Sequence, residues 1–130
     1  MGLDIRLNKD GLTIYTDNPH PEWSYGGFHD FRQALAAHVG ITLSEMDGFT
    51  YPGIVAKPWP NTPEPIFILL CHSDSQGYLG PHECGALAPR LREVIAEMGD
   101  KLSTFDREQG LLFAEFMERA ITEGKRIEFR

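Results

Sequence analysis

Leu3-Asp4-Ile5-Arg6-Leu7-Asn8-Lys9-Asp10-Gly11-Leu12-Thr13-Ile14 decides the fold class. Leu3, Ile5 and Leu7 alternate with Asp4 and Arg6, the period-two pattern of a strand with one face in a core. Asn8-Lys9-Asp10-Gly11 supplies turn chemistry, and Leu12 and Ile14 resume the alternation. The first fifteen residues therefore predict a β-hairpin. Asp17-Asn18-Pro19-His20-Pro21 ends it.

Helical spacing follows. Phe28, Phe31, Leu35 and Val39 predict a helix over 28–39, with Gly40 as its terminator. Its approach, Trp23-Ser24-Tyr25-Gly26-Gly27, is aromatic and flexible at once. A strand is expected over 49–56. Lys57–Pro65 then holds four of the nine prolines and excludes helix or central strand, because each proline removes an amide donor and fixes φ. It reads as a stiff surface connector, with a rigid arm presenting Trp59 to a partner as the sharper alternative.

Ile66-Phe67-Ile68-Leu69-Leu70-Cys71 is the most apolar run. Its brevity and its β-branched and aromatic content point to a strand covered on both faces. After Pro81 a stripe of Leu87, Leu91, Val94 and Met98 predicts a helix ending at Gly99. Pro89 implies either a kink or a main helix starting close to it. Ser103, with Asp106 three residues on, opens a last helix carrying Phe105, Leu112, Phe113, Phe116 and Ala120, and ending near Gly124. Lys125–Arg130 alternates again and is expected as an edge strand closing the sheet. The sum is one α+β domain: a small mixed or antiparallel sheet with about three helices.

Composition bounds function. In 130 residues, 42% are apolar and 24% charged, close to globular averages. A net charge of -7, with only Lys125, Arg126 and Arg130 clustered and no aromatic stacking platform in the sequence, argues against nucleic acid. No window approaches a membrane span and the N-terminus has no signal pattern, so the expected compartment is cytoplasmic. Cys71 and Cys84 read as small buried thiols outside any disulfide framework. Dimers are the commonest assembly, and an edge strand at the C-terminus offers a pairing surface for a homodimer.

The chemistry-rich stretch is His72–Glu83. Against the twelve-residue calcium loop, which wants oxygen ligands at 1, 3 and 5, Gly at 6 and a carboxylate at 12, it places His72, Asp74, Gln76, Gly77 and Glu83. His72, Asp74, Gln76 and Glu83 are thus the candidate metal ligands. Nitrogen at the first position and only two carboxylates weigh against calcium. The competing reading is a hydrogen-bonded turn, in which Glu83 favours a helix N-terminus. A zinc set drawn from Cys71, His72, Asp74, His82, Glu83 and Cys84 lacks the close paired spacing of such sites. No cofactor is expected beyond a divalent cation in this loop. No G-x-S-x-G, phosphate loop, G-x-G-x-x-G or H-E-x-x-H occurs.

The opening Met-Gly-Leu-Asp-Ile, the stretch Ser24–Ala36, the loop His72–Pro81 and the terminal Phe-Met-Glu-Arg-Ala…Gly-Lys-Arg-Ile-Glu-Phe segment resemble a group of small bacterial and phage proteins with no established activity. The resemblance spans most of the chain. In that group the loop takes the more acidic form His-Ser-Asp-Cys-Asp/Glu-Gly, from which this chain departs at Ser75 and Gln76. The resemblance implies the element boundaries and a focus on the loop, and no activity.

Three functions follow as expectations. The first is a non-enzymatic binding module for a small molecule or host protein, with Trp23, Tyr25, His72, Asp74, Gln76 and Tyr78 as the ligand-binding rim. The second is an enzyme using His72 and Asp74 as an acid–base pair at a strand end. The third is a domain stabilised by a cation in the 72–83 loop.

Overall fold

The structure, a computed structural model, describes residues 2–73 and 76–130. The hairpin forms as its alternation predicts: β1 (Leu3–Lys9) pairs antiparallel with β2 (Leu12–Ile14), with Leu7 opposite Ile14. Asp10 and Gly11 both take positive φ, 55° and 82°, the geometry of a two-residue primed turn. β3 (Glu22–Trp23) pairs with the start of β1, placing Asp4 opposite Glu22 and Leu3 opposite Trp23.

β4 (Tyr78–Leu79) and β5 (Arg126–Phe129) complete an antiparallel sheet in the order β2-β1-β5-β4. β5 is therefore interior, hydrogen-bonded to β1 on one side and β4 on the other. The edge position expected for it is corrected, and with it the pairing surface suggested for a dimer. Two apolar residues, Ile127 and Phe129, are buried on one face of β5, which is all that the sequence alternation required.

Four α-helices are present among the described residues: α1 (Tyr25–His38), α2 (Ile66–Leu70), α3 (Pro81–Met98) and α4 (Thr104–Glu123). α1 starts three residues earlier than its apolar spacing suggested. The Ser24 hydroxyl accepts from the Gly27 amide at 2.9 Å, and this cap draws Gly26 and Gly27 into the first turn. α4 starts as expected, with the Ser103 hydroxyl accepting from the Asp106 amide. α3 runs through Pro89 without a break. Pro89 and Gly85, four residues before it, are both exposed, so the carbonyl that Pro89 cannot serve lies on the solvent side.

The 66–71 run is corrected from strand to helix. Ile66, Leu69 and Leu70 are fully buried while Phe67 and Ile68 are partly so, a three-and-four spacing that six apolar letters cannot distinguish from a strand. Two side chains from outside the run decide the matter. Glu64 accepts from the Ile66 amide at 3.1 Å, and Arg32, buried in α1, donates to the carbonyls of Leu69, Leu70 and His72 at 3.3, 3.4 and 2.5 Å. A guanidinium on the last carbonyls stabilises a helix end and does nothing for a strand.

The strand expected over 49–56 is also corrected. Gly48 and Gly53 take φ of 92° and 88°, and Tyr51, Ile54 and Val55 face solvent. Only Met46 and Lys57 bridge, at the base of the loop. Trp59 packs edge-on to Phe49 and against Phe67, and donates to the Asp47 carbonyl at 3.2 Å. It belongs to the connector reading and is not an arm held away from the core.

The inward face of the sheet, Leu3, Ile5, Leu7, Ile127 and Phe129, meets Phe28, Phe31 and Leu35 of α1 and Phe113, Met117 and Ala120 of α4 in one buried cluster. Gly110 lets α4 approach closely: a Cβ there would lie 2.8 Å from Ile95 Cδ1 and 3.1 Å from Phe31 Cζ. No helix among the described residues is long and apolar enough to cross a membrane.

Candidate functional site

Among the described residues of the loop emphasised by the sequence, the polar groups do not converge on one point. The His72 ring stacks on Phe129 at 4.2 Å, and its two nitrogens face main-chain carbonyls, Ser73 at 2.7 Å and Tyr78 at 3.1 Å. Glu83 lies in the first turn of α3 and folds back beside Gly80. Gln76 is exposed, and Tyr78 lies beneath the Arg126 guanidinium at 4.1 Å. Asp74 lies outside the described residues, so the proposed His72–Asp74 pair has one described member. Tyr25 is the half-exposed first residue of α1.

Trp23 is placed in the core. It is 1% exposed, stacks on Phe31 at 4.8 Å, and donates its indole N–H to Asp106 Oδ1 at 3.0 Å. The rim residues are thus divided: Trp23 borders one cavity and His72 another.

The cavity at His72 holds about 310 Å³ and is lined by His29, Arg32, Asp47, Phe49, Cys71 and Ser73 among others. Arg32 is spent there on the end of α2, with its guanidinium also over the rings of Phe28 and Phe49. Cys71 is exposed, and partial burial still pushes its thiol pKa up, with Arg32 opposing. Cys84 is buried, and burial raises its thiol to about 12. Both are poor thiolates and therefore poor nucleophiles.

The larger cavity, about 610 Å³, opens where β3, the loop before it and the first turns of α1 and α4 meet. Its walls are Gly2, Asn18, Pro19, His20, Glu22, Trp23, Ser24, Phe105 and Gln109. Local structure fixes each wall. Gln109 Oε1 accepts from the Glu22 amide at 2.9 Å, tying the free side of β3 to α4. Gly2 passes so close to the Trp23 carbonyl that a Cβ would stand 2.6 Å from its oxygen. Phe105, expected to help bury the last helix, is instead 54% exposed at this mouth. It occupies the second position of α4, ahead of that helix's core stripe.

Beside this cavity stand Asp4, His20 and Glu22, whose ligating atoms all lie within 4.8 Å of one another. Strand pairing puts the two carboxylates opposite each other, and His20 leans between them, Nε2 3.4 Å from Asp4 Oδ1 and 3.7 Å from Glu22 Oε2. Like charges directly opposite across a strand pair are unfavourable by themselves. The His20 side chain is only 12% exposed and Glu22 64%. Arg6 Nη2 lies 3.7 Å from Asp4 Oδ2, the oxygen turned away from His20.

Sequence reading did not single out these three. His20-x-Glu22 carries a legible signal, since alternate residues share a face of an extended chain. Asp4 joins them only through the pairing of β3 with β1, a long-range event. Comparison with protein-family models, curated proteins and solved structures finds no match for this chain.

Proposed function

We propose that the chain is a non-enzymatic binding module whose ligand is a small polar molecule seated in the 610 Å³ groove. The observation that carries this reading is the convergence of Asp4, His20 and Glu22 beside this groove. Pockets of a few hundred Å³ with a few convergent polar groups are the usual form of small-molecule sites.

The walls define the ligand's chemistry. Two carboxylates favour a head group that donates hydrogen bonds or carries positive charge. The exposed Phe105 ring offers a flat apolar face to the rest of the molecule. The overall charge of -7 acts in the same direction, attracting cationic over anionic ligands.

Ligand-observed NMR with a library of small amines and heteroaromatic bases tests the proposal. Hits are expected to bind the intact chain and to weaken on Phe105→Ala. Phe105 is more than half exposed, so this change should move stability by no more than about 0.5 kcal/mol. Hits that bind Phe105→Ala and Glu22→Gln as well as the parent would refute the groove as their seat.

A further inference from the structure

We infer that Asp4, His20 and Glu22 form a binding site for one divalent transition-metal ion of the zinc type, open on its groove side. The inference deepens the binding-module reading and rests on the same groove.

The distances are longer than those of a tight ion pair. Charge-assisted N–H···O⁻ bonds close to about 2.7–2.9 Å, as His38 does with Glu97 at 2.7 Å in this same chain. His20 stands off at 3.4 and 3.7 Å from two carboxylates at once. Ligand atoms about 2.1 Å from a tetrahedral ion are roughly 3.4 Å apart, from the zinc–nitrogen and zinc–oxygen lengths. The two His20 distances match that spacing, and all three ligating atoms lie within 4.8 Å of one another, although the 3.4 Å contact to Asp4 is also within hydrogen-bond range.

Support behind the donors points the same way. Metal-binding histidines fix their tautomer by bonding the other ring nitrogen to a second group. His20 Nδ1 is 3.1 Å from Asn18 Oδ1, a second contact of that kind, and Nε2 faces Asp4 and Glu22. Arg6 engages the outer oxygen of Asp4 and leaves Oδ1 for the site. The guanidinium and a dication together offset the two carboxylates.

One imidazole and two carboxylates suit zinc, manganese, cobalt or iron over calcium. Three protein ligands leave at least one coordination position, and the groove is where a water or the unprotonated nitrogen of an amine or heteroaromatic head group would take it.

Titration of the full chain with Co²⁺, followed by visible absorption, and competition with Zn²⁺ test the inference. One Co²⁺ per chain is expected, displaced by Zn²⁺. His20→Gln and Glu22→Gln should each weaken binding on the order of tenfold or more, whereas Cys71→Ser should leave it unchanged. Glu22 is exposed, so Glu22→Gln keeps the test valid if His20→Gln fails to fold. Absence of Co²⁺ binding, or binding lost in Cys71→Ser and kept in Glu22→Gln, overturns the site. Small molecules that still occupy the groove without Co²⁺ binding would leave the groove and remove only the metal. Co²⁺ bound without any small-molecule binding would do the reverse.

Discussion

Trp23 and Arg32 carry weight out of proportion to their positions in the sequence. Trp23 lies in a two-residue strand, yet its ring touches Phe28, Phe31 and Phe113 and its N–H reaches Asp106. Trp23→Ala should cost about 3–5 kcal/mol of unfolding free energy in a urea titration. An aromatic residue beside Gly-Gly reads equally as a ligand platform or as core, and only the α4 residues that meet it decide. Nothing in the sequence marks Arg32 out among the polar residues of α1, which include His29, Asp30, Gln33 and His38. Its removal in Arg32→Met leaves the carbonyls of Leu69, Leu70 and His72 without this donor and should cost about 2–3 kcal/mol by the same titration. The metal-type residues show the converse limit. Asp4, His20 and Glu22 are ordinary polar letters until β3 pairs with β1.

Between elements, close approach and ion pairs make separate predictions. Gly110→Ala adds helix propensity worth about 0.5–1 kcal/mol, but drives a methyl into Ile95 and Phe31. Overpacking of about 1–3 kcal/mol should win, giving net destabilisation that Ile95→Val partly relieves, as a double-mutant cycle would measure. Glu64 joins the α2 start to α3 through a two-oxygen contact with Arg90, 2.7–3.1 Å long, and hydrogen bonding to Arg90 lowers its pKa. Glu123 is held down to about 2 by Arg119 and Lys125 at the end of α4. A carboxyl that is more acidic when folded stabilises the protein above its unfolded pKa and loses that contribution as pH falls through the folded value. Stability should therefore decline from the ordinary glutamate range near 4.5 downwards, towards about 2 for Glu123. Glu64→Gln and Glu123→Gln should each flatten that acid limb in thermal melts followed by circular dichroism.

The hairpin, the body of α1, α4 and its capping Ser103 were legible because their signals are local: alternation, three-and-four spacing and a hydroxyl before a polar third residue. α2 was not, because six apolar residues satisfy either period and the deciding contacts come from Glu64 and Arg32. The interior place of β5 was hidden for a related reason, since alternation records which face is buried and not how many neighbours a strand has.

For the whole molecule, the helices cover one face of the sheet, and the larger groove with the cluster beside it draws on three separate stretches of chain: residues 2–4, 18–24 and 105–109. No contiguous motif could encode such a site, whereas the 72–83 loop drew attention because its ligand-type letters are adjacent in sequence. Two-dimensional amide NMR of the full chain with a bound hit from the amine library tests the central claim most directly. The account predicts shifts at Gly2, His20, Glu22, Ser24 and Gln109, with His72, Gln76 and Tyr78 unmoved. Shifts confined to residues 71–80, with the groove amides silent, would contradict it.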